Sequence, residues 1–340
     1  MKVKEQLKNK DSLKIFIMFM VLLLLFFFSI CIGRYTIAPG EVLDSIISFL
    51  VPGVTPFDEM KYNVVMQVRM PRILLSIIIG AGLACSGAAY QCIFANPLVS
   101  PGILGVSAGA GFGASLAILL SVGTVAIQSQ ALLFGLIAVG IVLAVSRVRK
   151  RTEVFMLVLS GVIVTALFEA LISMTKYVAD PRNQLPAITL WLMGSLSSAS
   201  YQDVVVAATA MLPCMIILVA LRWKMNLLSL NEEEARSLGI KVEQLRVLVI
   251  IVSTLMTAVS VSLCGIIGWI GLVIPHIGRF FVGNDHRKLI PSCVLLGGSY
   301  LLVIDGIART ISSAELPISI LTSMVGAPFF AFMMRRAMTK

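Results

Sequence analysis

Between Lys14 and Arg34 the chain runs for nineteen residues, IFIMFMVLLLLFFFSICIG, without a charge. As a helix that run is about 28 Å long, close to the hydrocarbon thickness of a bilayer. Backbone inside lipid must satisfy its own hydrogen bonds, so only helices and closed barrels can cross. Further long apolar runs recur along the chain, whereas a barrel would show alternating segments of about ten residues. The sequence therefore predicts an all-α polytopic membrane protein with about ten spans. Their expected limits are 14–34, 70–91, 103–121, 125–146, 153–177, 203–222, 244–266, 269–283, 289–309 and 315–334, with 186–200 as a short extra helix or re-entrant piece. Only 13% of the residues are charged, against about 25% in a soluble domain. The whole chain, 1–340, reads as one transmembrane domain with a tail at 1–13. Lys2, Lys4, Lys8, Lys10 and Lys14 before the first apolar run resemble the start of a signal peptide, but no A-x-A site follows. The run therefore reads as an uncleaved first helix with its N-terminus in the cytoplasm.

The distribution of positive charge tests this map. With a cytoplasmic N-terminus, 20 of the 27 Lys and Arg fall on the cytoplasmic side, as the positive-inside rule requires. Both termini are then cytoplasmic, and the net charge of +10 follows mostly from topology, so no nucleic-acid partner is needed to explain it. Seven basic residues fall outside: Arg34, Lys61, Arg69, Arg72, Lys176, Arg182 and Arg309. Among these, Arg69 and Arg72 flank a proline before the second span, and Arg309 stands at the outer end of the ninth. Arginines there either anchor to lipid headgroups or meet an acidic partner, since the planar guanidinium holds a carboxylate with two parallel bonds.

Other motifs narrow the function. The six cysteines are scattered in apolar runs without a C-x-x-C pair, so they read as buried small side chains rather than as a metal site or disulfide frame. There is no G-x-x-x-x-G-K-[ST] loop, so the chain is not expected to hydrolyse ATP itself. Gly105 and Gly109 form a G-x-x-x-G pair that suits close helix packing. Glu169 and Asp305 fall in predicted spans, where carboxylates are costly. They leave open a secondary transporter or channel that uses them, or a structural role with Asp305 paired to Arg309 at i,i+4. The segments PLVSPGILG (97–105) and GLVIPHIGR (271–279) share L-V-x-P-x-I, each expected between a long helix and a short one, in the manner of inverted transporter repeats. In SLNEEEARSLGI (229–240), Glu232, Glu233 and Glu234 fit the first turn of a short helix, Ala235, Arg236 and Leu238 its body and Gly239 its end. So charged a cytoplasmic helix in so apolar a chain points to a docking surface for a separate motor.

Four stretches, RMPRILLSIIIGAGLACSGAAYQCIFANPLVSPGILGVSAGAG, NLLSLNEEEARSLGI, GIIGWIGLVIPHIGRFFVGNDHRKLIP and DGIARTISSAELPISILTSMVGAPFF, closely resemble the FecCD-type permease subunits of ABC importers for iron-siderophore, haem and cobalamin. The resemblance runs from about residue 60 to the end; residues 1–59 match mainly in pattern. It implies a homodimer in the bacterial or archaeal cytoplasmic membrane, with the substrate path on the dimer axis. It also implies two cytoplasmic ATPase subunits that hold ATP and Mg, so that this chain carries no cofactor or metal of its own, and an extracytoplasmic binding protein that delivers the metal chelate. By the same resemblance 226–240 looks like coupling helices that enter the ATPase. Asn96 and Leu98 match the cytoplasmic gate, with 151–155 as a second gate layer. Arg69, Arg72 and Arg309 match arginines that dock glutamates on the binding protein's two lobes.

Overall fold

A computed structural model of the chain describes residues 2–51, 55–148, 151–228, 241–312 and 315–338. Its elements in order are α1 (Lys2–Cys31), α2 (Pro39–Leu50), α3 (Glu59–Asn63) running through a π-helical turn (Val64–Arg69) into α4 (Met70–Ile93), a 3₁₀ turn (Pro101–Leu104), α5 (Val106–Leu119) and α6 (Thr124–Ser146). There follow α7 (Val154–Val178), α8 (Gln184–Leu192), α9 (Tyr201–Leu228), α10 (Val242–Cys264), α11 (Ile270–Val282), α12 (His286–Thr310) and α13 (Ile318–Met338). Arg147–Val148 and Arg151–Thr152 pair as a two-residue antiparallel ladder between α6 and α7. Among the described residues seven helices are long and apolar enough to cross a membrane, and α5, α11 and α13 are shorter apolar helices, which makes ten in all. The protein is a multi-pass membrane protein.

The spans sort by burial. The apolar window of the α3–α4 rod is 83% buried, whereas that of α1 is 17% buried. So α4 is the axis of the bundle, and α9, α10, α11 and α12 pack around it. A second group, α5, α6 and α7, packs on the bundle through α10, which α5 and α6 touch, and the outer faces of α1 and α7 leave large apolar residues for lipid. Small residues let the backbones meet. A Cβ on Gly80 or Gly297 would strike the other's carbonyl oxygen, which welds α4 to α12. Gly109 and Gly113 meet the carbonyls of Phe134 and Gln130 on α6 in the same way. Between α4 and α10 the contact is polar. Ser86 meets Thr257 at 2.9 Å and Tyr90 meets Thr254 at 2.7 Å, pairs that satisfy hydroxyls where no water reaches.

Three expectations need correcting. The predicted span 103–121 is a 3₁₀ turn and a 14-residue helix separated by Gly105 at φ 78°. The echo between 97–105 and 271–279 marks different places, because Pro101 opens the 3₁₀ turn before α5 while Pro275 lies inside α11. What the two short helices share is a left-handed entry residue, Gly105 for α5 and Trp269 for α11. The second predicted span also starts early. Helical backbone begins at Glu59, which puts Arg69 and Arg72 inside one rod rather than outside a helix.

Candidate functional site

At the end of the bundle where α4 starts and α12 finishes, four guanidiniums gather. Arg34, Arg69, Arg72 and Arg309 line a cavity of about 180 Å³ together with Glu315. The π turn and the first turn of α4 present Arg69 and Arg72, and the last turn of α12 presents Arg309. Asp305 lies one turn before Arg309 and is fully buried. It accepts from Arg72 Nε at 2.8 Å and stands 3.1 Å from Arg309 Nε at i,i+4. Arg72 Nη1 donates to both oxygens of Glu315 at 2.9 Å. Among the described residues Arg69 donates only to backbone carbonyls, those of Ile30, Cys31 and Tyr35. Arg34 does likewise to Arg309 and Ser312. Four positive groups thus face two carboxylates among the described residues. The three expected docking arginines are brought together, but each is less than 7% exposed. None extends into headgroups as an anchor would, and each is built into the chain's own network.

The opposite end carries the turn between α4 and the 3₁₀ helix. Ala95 takes a left-handed φ of 45°, which costs energy for a residue with a Cβ. Asn96 Oδ1 accepts the Leu98 N–H at 2.9 Å, closing an Asx turn. Asn96 is exposed, and Leu98 is 54% exposed although apolar. From below, Gln91 straps the turn. Its Nε2 donates to the Val99 carbonyl at 3.2 Å and weakly to Gly271 at 3.4 Å, while its Oε1 accepts from Arg279 of α11 at 2.6 Å. Arg279 has no carboxylate partner among the described residues. Pro97 and Pro101 keep this turn out of helical backbone, and Gln91 ties it to α4 and α11.

The charged stretch with Glu232, Glu233, Glu234, Ala235, Arg236, Leu238 and Gly239 lies outside the described residues. Its approach does not. Asn226, in the last turn of α9, donates to Asp285 at 2.7 Å and accepts the His286 N–H at 2.8 Å, so the exit of α9 is bolted to the start of α12. Asp285 also caps α12 by accepting the Arg287 N–H at 2.9 Å. Burial raises its carboxyl pKa, but the bonds from Asn226 and Arg287 outweigh that and hold it below the usual carboxylate range. Lys14 donates to the Phe281 carbonyl at 2.8 Å and Lys288 pairs with Asp11, which places the start of the first span at this same end.

Glu169 and Asp305 are not brought together. Glu169 is exposed on α7, whereas Asp305 is locked between two arginines on α12. The reading of a carboxylate-driven secondary transporter therefore loses its site, and the structural reading of Asp305 with Arg309 holds. All six cysteines are free, and only Cys31 is not fully buried. Sequence reasoning missed Glu315, Gln91 and Arg279. Of these, only Glu315 carried a signal, an acidic residue at the first position of the last expected span.

Comparison with known proteins fits this geometry. Residues 21–336 match the FecCD transport family. The chain is 41% identical over 302 residues to the molybdate import system permease protein MolB of Haemophilus influenzae, covering 89% of each. It is 42% identical over 274 residues to a protein of Helicobacter pylori strain 26695 named as an iron chelatin transport system permease, covering 80% of this chain and 82% of that one. A solved structure described as an inward-facing conformation of a metal-chelate type ABC transporter superposes with a TM-score of 0.86 at 39% identity, over 96% of this chain and 99% of that one.

Proposed function

The chain belongs to the FecCD transport family of ABC importer permeases, and from that premise we propose that it forms one half of a homodimeric channel that passes a metal chelate inward. An iron-siderophore is the leading cargo, with haem and cobalamin next. The molybdate permease among its relatives keeps an oxyanion as an outcome of ligand identification. Energy comes from two cytoplasmic ATPase subunits that bind ATP and Mg, and cargo comes from an extracytoplasmic binding protein.

The observation that carries this reading is the arginine cavity. Four guanidiniums against two carboxylates leave two positive charges in a partly desolvated site, and such a site attracts carboxylates on an approaching protein. Arg69, Arg72 and Arg309 then serve as the docking residues on the outer face. The bolt at Asn226 delivers α9 into the segment 229–240 at the other end, where Glu232 to Gly239 would form the coupling helix. Lys14, Lys288 and Arg287 gather at that end too, which supports cytoplasmic termini. Asn96 and Leu98 form the gate there. An exposed leucine on a rigid turn suits closure against its copy across a two-fold axis.

The test is reconstitution with the cognate ATPase and binding protein in vesicles, with the ligand identified by mass spectrometry of the purified binding protein. Uptake that requires ATP inside and binding protein outside is the expected result. Uptake driven by a proton gradient without ATPase would overturn the reading.

A further inference from the structure

We propose that Glu315 is an internal stand-in for the binding protein's carboxylate: it occupies Arg72 while the outer face is empty and yields it when a docking carboxylate arrives. The inference rests on the docking role given to the arginine cavity. It follows from how differently the two carboxylates there are held. The Asp305 side chain has no solvent exposure and sits between Arg72 and Arg309, so it is part of the frame. The Glu315 side chain is 29% exposed, bonds only Arg72 among the described residues, and lines the open cavity. Removing a fully buried partner strands a charge, whereas a solvated carboxylate exchanges for another at little cost.

The surrounding backbone makes the exchange local. Arg34 holds the Ser312 carbonyl at 3.0 Å, and Ile318 N–H donates to the Gly194 carbonyl at 3.0 Å. Glu315 lies between these two fixed points, so a side-chain rotation releases Arg72 without moving α12 or α13. Arg34 and Arg69 spend their donors on neutral carbonyls, which fixes their positions without cancelling their charge. A partner carboxylate gains from these unspent charges, while Glu315 bonds neither of them. The site therefore ignores a lone weak carboxylate and accepts one presented on a complementary surface. Glu315 also returns to Arg72 when the partner withdraws, which speeds release after delivery.

Glu315→Gln tests this, because it removes the competing charge and leaves Arg72 with Asp305. If the Glu315 pair resembles an upper-end exposed ion pair, about 1 kcal/mol, its removal tightens docking of the ligand-free binding protein about fivefold, mainly through slower dissociation. Glu315→Ala should act in the same direction. The measurement is surface-plasmon or interferometric binding of the cognate binding protein to the permease–ATPase complex in nanodiscs at low salt, with thermal unfolding of each variant alongside. Arg69→Glu is the companion variant. If it leaves docking unchanged, the cavity is not the docking site and that reading fails whatever Glu315 does. If it weakens docking while Glu315→Gln and Glu315→Ala both leave it unchanged or weaken it in folded complexes, the stand-in role is refuted and the docking role survives.

Discussion

Replacing Gln91 with Leu should loosen the inner turn without unfolding the bundle. Gln91 is 3% exposed; its amide nitrogen donates to the Val99 and Gly271 carbonyls and its amide oxygen accepts from Arg279. Leucine fills a similar volume but leaves those groups unpaired. An orphaned buried carbonyl costs about 1–3 kcal/mol, and a bond to a charged group contributes about 1.5–3 kcal/mol. Taking the low end for Val99, nothing for the long Gly271 bond and the low end for Arg279, which water can partly rehydrate, gives about 2.5 kcal/mol against the strapped turn. That is a rise of roughly 70-fold in the displaced population. The assay uses Leu98→Cys, cross-linked across the dimer in nucleotide-free and ATP-trapped complexes. The native cysteines are mostly buried, so background labelling is low. Wild-type Gln91 should give cross-linking in one state only, and the Leu variant should blur the difference and lower ligand-stimulated ATPase relative to basal. Gln91→Glu separates the two bonds, since it keeps an acceptor for Arg279 but cannot donate to Val99. State-dependent cross-linking identical in Gln91→Leu and wild type would refute the strap.

Further outcomes follow from the same geometry. Asp305→Asn removes the shared counter-charge of two buried arginines, a loss on the order of 3–5 kcal/mol, and should abolish stable expression, while Glu169→Gln on the exposed face of α7 leaves transport intact; the reverse pattern would restore the carboxylate-transporter reading. Asp285 has a folded pKa below its ordinary value, so its contribution is complete above about pH 3.9 and is lost as pH falls through the lower folded value; thermal midpoints of wild type and Asp285→Asn should differ at neutral pH and converge in acid. Charge reversal at Glu232, Glu233 and Glu234, or Ala235→Pro, which would cost the proposed coupling helix about 3 kcal/mol, should erase ligand-stimulated ATPase while the membrane core unfolds at the wild-type temperature.

The seven long spans were legible because each satisfies a one-dimensional rule, an apolar run as long as the bilayer is thick, and α12 at His286–Thr310 was expected within three residues of both ends. The helix α2 (Pro39–Leu50) was not, since a 12-residue amphipathic helix lies below any spanning threshold. It starts on Pro39, and its first turn is fastened by Glu41, which accepts the Ala38 N–H at 2.9 Å and pairs with Lys61 at 2.6 Å. The arginines were legible as exceptions to the charge bias, and Asp305 as a carboxylate one turn from Arg309. Their burial was not, because it depends on a carbonyl cage from α1 and on Glu315, 243 residues from Arg72. Gln91 was invisible for the same reason. Its partners Val99 and Arg279 are 8 and 188 residues away, and a glutamine in an apolar run carries no sign of what it will meet.

The two ends of the molecule share two helices. Near its start α4 carries Arg72, and in its last turn Gln91; α12 begins at the Asp285 bolt and ends at Arg309. They run antiparallel and touch at Gly80 and Gly297, where neither helix has room for a side chain. Each is about 36 Å long, so a tilt of about 5° about that weld moves the far ends by roughly 1.5 Å. A shift of that size at the arginine cavity would reach the gate turn and the exit of α9 together, with no bending in between. Gly297→Ala tests the weld. Its new methyl meets the Gly80 carbonyl and the Ala84 side chain, so the helices must part, at a cost of about 1–3 kcal/mol for overpacking. Gly140→Ala on α6, where nothing lies within 4 Å, is the control and should be neutral. Below its lowered melting temperature the Gly297 variant should still dock the binding protein with wild-type affinity, yet pass less of that event to the ATPase. Full ligand-stimulated ATPase in a folded Gly297→Ala complex would show that the signal travels by some route other than this pair.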